Sequence, residues 1–175
     1  MKLNVVLILT FTLTLATTFL FNGDKKKVTK EVKAAFGVET FQITPKVFPE
    51  AETNKLPATF NADTFFEIKK DEALLGYAYM SNAPSKTDTF DYLVLFDANL
   101  IIKKTKVLAY REDYGGEIGS KRWLRQFEGK TTSDKLVYKS NIVAISGATI
   151  SVRSMTAAVN QLLKSLQILQ SKQLL

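Results

Sequence analysis

The sequence contains neither cysteine nor histidine among its 175 residues. The absence of cysteine excludes disulfides and thiol nucleophiles, and the absence of histidine excludes imidazole bases. Together they remove the His and Cys sites that hold zinc, copper, haem or iron–sulfur clusters, so no metal site is expected. No remaining side chain cycles easily between redox states, and any redox chemistry would therefore need an organic cofactor.

The formal net charge is +7, but the basic residues are spread along the chain. The one dense run, at residues 24–27, directly follows an apolar segment, a position typical of a membrane surface rather than a nucleic-acid groove. Outside residues 121–125 no stripe combines basic and aromatic residues in the way that stacks bases. We therefore expect no nucleic-acid partner.

Residues 3–21, LNVVLILTFTLTLATTFLF, form an uncharged and mostly apolar segment. About 20 apolar residues can cross a bilayer as a helix, whereas the apolar part of a signal peptide usually has about 7 to 15. The length favours a membrane anchor, while five threonines and Lys2 leave a cleaved signal peptide open. We assign residues 1–23 to this transmembrane or signal helix. The rest of the chain is expected outside the cytoplasm, on the periplasmic side of the membrane, because such leaders usually export the domain behind them.

Residues 24–62 are predicted to form a helix and then a connector. The apolar spacing in VTKEVKAAF predicts a short amphipathic helix over 28–36 that ends at Gly37. Three of the four prolines fall within 41–59, so no long regular structure is expected there.

Residues 63–175 are predicted to form the main domain. Four segments rich in aromatic and β-branched residues indicate consecutive antiparallel strands, the last two as a hairpin: 64–70, 73–81, 90–97 and 100–110. A helix is predicted over 119–130, with Ser120 as N-cap and Gly129 at its end. Short strands at 135–139 and 141–145 and an amphipathic helix over 152–169 complete an α+β fold, a mainly antiparallel sheet with flanking helices.

The stretch AISGATIS, residues 144–151, lies where a predicted strand meets the last helix. The first amides of a helix have no internal acceptor and carry the positive end of the dipole, so a phosphate is stabilised there. Gly147 and Ala148 leave room for a ligand, and Arg153 offers a charged contact. Three hydroxyls are available, on Ser146, Thr149 and Ser151. The simpler interpretation is that Thr149 or Ser151 only caps the helix.

The segment SGAT at 146–149, between an apolar strand and an amphipathic helix, resembles the attachment motif of the FMN-binding domain family. That family includes flavin-carrying subunits of the sodium-translocating NADH:quinone reductase and of the Rnf electron-transport complex. The resemblance implies that Thr149 carries FMN through a phosphoester bond made from FAD by a dedicated flavin transferase. Ser146, Gly147 and Ala148 would form the turn that presents Thr149, with Ser151 close by.

A second segment, YREDYGGEIGSKRWLRQFEGK at 110–130, is similar to the glycine-containing segment and aromatic-bearing helix of the same family. By this resemblance Gly115 and Gly116 would let the backbone approach the flavin ring, and Glu117 would hydrogen-bond to it. Without the resemblance, the same glycines predict only a hairpin or helix-entry loop.

The resemblance implies an extracytoplasmic flavoprotein that carries electrons in a membrane-associated redox chain, rather than a stand-alone enzyme with catalytic residues. Its electron donor and acceptor, expected to be membrane proteins, are not readable from the chain. Two alternatives stay open. One is a flavin-free extracytoplasmic binding or interaction module, and the other is a flavin reductase of a small substrate in which Tyr114 or Glu117 supplies a proton.

Overall fold

The computed structural model describes residues 25–175. The predicted anchor or signal helix at 1–23 lies outside the described residues. Among the helices from residue 25 onward, none has the length and apolar character needed to cross a membrane.

A five-stranded antiparallel sheet forms the centre of the domain, and its strands lie side by side in sequence order. The prediction of an α+β fold with a mainly antiparallel sheet and flanking helices is confirmed, including the final hairpin. The strands are β1 (Gln42–Pro45), β2 (Phe65–Lys70), β3 (Ala73–Pro84), β4 (Thr89–Asp97) and β5 (Ile102–Ala109).

Side chains alternate between the two faces of a strand, and apolar residues occupy both sets of positions, so both faces of the sheet are apolar. Along β4, Phe90 and Val94 belong to one hydrophobic cluster, while Leu93 and Leu95 belong to the other. All four are fully buried. Each face of the sheet therefore needs a covering layer.

Two helices supply these layers. The long C-terminal helix α4 (Thr149–Ser171) covers the first face with a stripe at helical spacing that includes Val152, Met155, Val159 and Leu166. The N-terminal helix α1 (Lys25–Phe36) covers the second face through Val28 and Val32. Both helices were predicted, and α1 ends at Gly37, which adopts a left-handed φ of 66°.

The connector at 41–59 has no long element, as predicted, but it contributes β1, which pairs with β2, and the one-turn helix α2 (Glu50–Thr53). Strand β3 runs three residues further than predicted, to Pro84, which pairs with Thr89 of β4. A proline is accepted at this last strand position because its missing amide removes no ladder bond from the strand interior. The loop between β3 and β4 is therefore shorter than predicted and consists of residues 85–88.

The helix predicted over 119–130 is split into short pieces. A 3₁₀ turn (Gly116–Gly119) leads into α3 (Lys121–Leu124), and a second 3₁₀ turn (Arg125–Phe127) comes after it. Ser120 is the N-cap, as predicted, and its hydroxyl accepts from the Trp123 amide at 3.3 Å. The helix cannot continue because the chain returns to the sheet at Gly129, whose amide donates to the carbonyl of Ile102 at 2.7 Å.

The strands predicted at 135–139 and 141–145 are wrong. The region is a turn with a single bridge, between Tyr138 and Ile142. The side-chain amide of Asn141 hydrogen-bonds to backbone groups that would pair with a neighbouring strand in a sheet. Its Oδ1 accepts from the Val137 amide at 2.7 Å, and its Nδ2 donates to the Lys135 carbonyl at 2.9 Å. AISGATIS therefore joins a turn, not a strand, to α4.

Candidate functional site

A cleft of about 410 Å³ opens at the first turn of α4, a size within the usual range of small-molecule sites. Three parts of the chain form its walls: the β3–β4 loop, the segment after β5, and the start of α4. The lining residues are Lys86, Tyr110, Glu112, Tyr114, Gly147, Ala148, Thr149, Ile150 and Ser151.

Helix α4 begins without a side-chain cap. Its N-cap residue is Ala148, whose side chain carries no acceptor, and the exposed Thr149 is the first helical residue. The interpretation of Thr149 or Ser151 as the cap is therefore wrong. The Ser151 hydroxyl is 2% exposed and hydrogen-bonds to the Tyr110 hydroxyl at 3.0 Å. The uncapped amides at the cleft keep the positive end of the helix dipole available to an anion.

The turn before α4 depends on the backbone of Gly147. Its φ is 77°, a left-handed value that favours glycine, and a Cβ added there would meet no heavy atom within 4 Å. Gly147 therefore allows the backbone conformation of the turn, and the space beside it is open. Ser146 is exposed in the same turn but does not line the cleft.

The glycine segment after β5 packs directly on this turn. Gly115 has a φ of 77°, and a Cβ there would lie 2.6 Å from the Cβ of Ala148 and 3.2 Å from the carbonyl oxygen of Gly147. Gly115 thus allows two loops to touch, and its approach to a flavin ring stays a prediction. Gly116 and Glu117 are exposed and do not line the cleft, and their contacts with a flavin stay predictions.

Sequence reasoning missed Lys86, Tyr110, Glu112 and Ile150 as lining residues. Glu112 accepts from the Thr87 amide at 2.7 Å, from the Thr87 hydroxyl at 2.9 Å and from the Asp88 amide at 3.3 Å. Hydrogen bonding by the Ser85 hydroxyl, by Thr87 and by the Asp88 amide lowers the pKa of Glu112 to about 2. This carboxylate holds the β3–β4 loop against the segment after β5.

The two basic side chains near α4 have different surroundings. The guanidinium of Arg153 lies over the Tyr138 ring, 5.0 Å from its centroid, and Arg153 does not line the cleft. Lys86 does line it, and its ammonium makes no hydrogen bond or ion pair within residues 25–175. No sequence signal singles out Lys86, because its place depends on contacts made by Glu112, which is 25 residues from Thr87.

Two tyrosines add aromatic surface to the cleft. Tyr110 packs edge-on against Phe90, with ring centroids 5.9 Å apart, and Tyr114 is 81% exposed. The site therefore combines a positive helix end, a lysine, aromatic surface and an accessible threonine hydroxyl with one carboxylate, Glu112, whose oxygens accept hydrogen bonds from the β3–β4 loop. Such a site suits an anionic ligand that carries a flat ring system.

Residues 86–164 match the model of the FMN-binding domain, and this range contains every residue that lines the cleft. The predicted resemblance to the FMN-binding domain family is confirmed. The crystal structure of Shewanella oneidensis NqrC shares the fold, with a TM-score of 0.58 and 15% sequence identity over 82% of this chain and 96% of that chain. No curated protein is significantly similar in sequence.

Proposed function

We propose that this chain is a flavoprotein that binds FMN in the cleft at the start of α4 and carries electrons in a membrane-associated redox chain. One observation carries the proposal. The cleft forms around Gly147, Ala148 and Thr149, three of the four residues of the SGAT motif, and it lies within the range that matches the FMN-binding domain.

The residues of the cleft fit this cofactor. The uncapped first turn of α4 offers backbone amides and the positive end of the dipole to a phosphate. Tyr110 and Tyr114 offer aromatic surface to the ring system. When bound, FMN would supply the redox chemistry, while the chain binds it, orients it and limits its contact with water.

Thr149 is the best placed of the three candidate hydroxyls for covalent attachment. Ser151 is buried and bonded to Tyr110, and Ser146 does not line the cleft, whereas Thr149 is exposed and lines it. In the proposed step a flavin transferase uses FAD. The Thr149 hydroxyl oxygen bonds to the phosphorus on the flavin side, its proton is removed by the transferase, and the bond to the second phosphate breaks to release AMP.

A covalent tether is useful to a carrier outside the cytoplasm, because a dissociated flavin would be lost there. The charge-free apolar segment at 3–21 supports a location at the membrane, with the domain on the extracytoplasmic side. The electron donor and acceptor are proposed to be membrane proteins on that side.

The test is to express the full chain with a flavin transferase, denature it, and measure both flavin fluorescence on the gel and protein mass. Wild type should carry flavin fluorescence and a mass increase equal to FMN less one water, and Thr149→Ala should lose both. Thr40→Ala is the matched control, since it makes the same substitution at an exposed threonine that does not line the cleft, and it should keep the label. Labelling that persists in Thr149→Ala would refute this attachment site.

The same preparation separates the alternatives. A flavin-free interaction module would bind FMN neither covalently nor reversibly. A flavin reductase that uses Tyr114 as proton donor would lose turnover of its substrate in Tyr114→Phe, whereas a carrier would keep its rate of electron transfer. Glu117 is a weaker candidate for this role because it does not line the cleft.

A further inference from the structure

We propose that Lys86 binds the phosphate group of FMN together with the N-terminus of α4, and that Glu112 positions Lys86 for this contact. The inference rests on the proposed function, because it assigns two further residues to the same cleft.

Charge is the first reason to expect this contact. A phosphate carries between one and two negative charges near neutral pH. The end of a helix is equivalent to only about half a positive charge. Lys86 is the only basic residue among those that line the cleft, and its ammonium has no partner within the described part of the chain. It is therefore available to balance the remaining charge.

The position of the β3–β4 loop is the second reason. The β3–β4 loop that carries Lys86 is attached to α4 beside the cleft, because the Ser154 hydroxyl donates to the carbonyl of Pro84. Ser154 lies in the second turn of α4, and Pro84 is two residues from Lys86. Lysine acts as a compact point charge on a flexible stem, so it can meet a phosphate from this position without a fixed geometry.

The third reason is that Glu112 holds the β3–β4 loop through hydrogen bonds. Glu112 binds the two residues directly after Lys86, through the amide and hydroxyl of Thr87 and the amide of Asp88. Because the carboxylate oxygens are occupied by these donors, Glu112 acts on the loop backbone. We therefore describe Glu112 as a positioning residue for Lys86.

The test uses the full chain made without flavin transferase, so that free FMN and free riboflavin can be titrated by flavin fluorescence. Riboflavin has the same ring system but lacks the phosphate. Lys86→Gln should weaken FMN binding by about threefold to tenfold at low salt, since the contact is partly exposed to solvent. Riboflavin binding should be unchanged, which also shows that the cleft is intact.

Two control variants test whether the charge and the position of Lys86 cause the effect. Lys86→Arg keeps the charge and should restore most of the FMN affinity, while Lys55→Gln makes the same change in net charge at an exposed lysine away from the cleft and should have no effect. Equal FMN affinity in Lys86→Gln and wild type, or an equal loss for riboflavin, would overturn the assignment to the phosphate. Absence of FMN binding in wild type would instead overturn the proposed function, and this inference with it.

A double-mutant cycle tests the role of Glu112. Glu112→Ala should lower the preference for FMN over riboflavin in the presence of Lys86, and should have little further effect in the Lys86→Gln background. A purely structural role would lower the affinity for both flavins, and the two substitutions would then add. Additive losses would overturn the positioning role.

Discussion

Replacing Gly115 by alanine tests whether contact between two loops shapes the start of α4. The substitution brings two separate costs. At a φ of 77° an L-residue is strained, by about 1–2 kcal/mol. In addition, the new Cβ would lie 2.6 Å from the Cβ of Ala148, which is buried. Overpacking of this kind typically costs about 1–3 kcal/mol. We therefore expect Gly115→Ala to lower the free energy of unfolding by about 2–5 kcal/mol.

Two neighbouring glycines separate these costs. Gly147 has the same φ of 77° but open space around a Cβ, so Gly147→Ala should show only the conformational cost, about 1–2 kcal/mol. Gly116 has neither the left-handed φ nor a close neighbour, so Gly116→Ala should be within about 1 kcal/mol of wild type. The lower entropy of the unfolded alanine chain applies to all three variants and cancels in the comparison.

Urea unfolding followed by circular dichroism gives the free energies, provided that the slope with denaturant is the same in each variant. The overlap itself can be relieved by adding Ala148→Gly to Gly115→Ala, which should recover part of the loss and make the pair non-additive. FMN binding should weaken in Gly115→Ala, because Ala148 and the turn that presents Thr149 must move. The reasoning is refuted if Gly115→Ala is no less stable than Gly147→Ala.

Two further predictions concern the contacts that hold the cleft and its surroundings. Glu112→Gln should reduce stability above pH 4.5, where the carboxylate is charged in both the folded and the unfolded chain but accepts hydrogen bonds only in the folded one. As the pH falls towards 2, the native carboxylate becomes protonated and the difference in stability from wild type should vanish. Urea midpoints measured across this pH range test the prediction. A difference that grows towards pH 2 would contradict this interpretation. Asn160→Ala should cost about 1–3 kcal/mol, because the side chain accepts from the Leu136 amide at 2.9 Å and donates to its carbonyl at 2.7 Å, and both groups of a buried residue would lose their partner. Hydrogen exchange should then speed up at the Leu136 amide, and protection equal to wild type would refute the role of Asn160.

The sheet and its two covering helices arise from local patterns. Segments such as FDYLVLFD combine β-branched and aromatic residues over the length of a strand, and tertiary packing then buries both faces. The spacing of apolar residues after Val152 predicted α4 equally well. These elements were predictable because the residues that form each one are close together in the sequence.

The prediction failed where side-chain hydrogen bonds, several of them between distant residues, decide the local structure. Residues 135–145 have the composition of strands, yet Asn141 and Asn160 take the backbone groups for a turn. Likewise, the walls of the cleft meet through pairs that lie far apart, such as Tyr110 with Ser151 and Glu112 with Thr87. A motif could identify Thr149, but only the folded chain brings Lys86 and Glu112 to the same cleft.

The order of the elements along the chain has a consequence for the order in which the domain folds. Each strand pairs only with strands adjacent in the chain, and such short-range pairings form early and quickly. Helix α4 follows all five strands of the sheet in the chain, and its bonds reach back over long distances; the Ala58 amide, for example, donates to the Ser165 hydroxyl, 107 residues away. The sheet can therefore assemble before α4 docks and the cleft exists. A modification at Thr149 that requires the complete cleft would act only after α4 has docked, and it would mark chains that have finished folding.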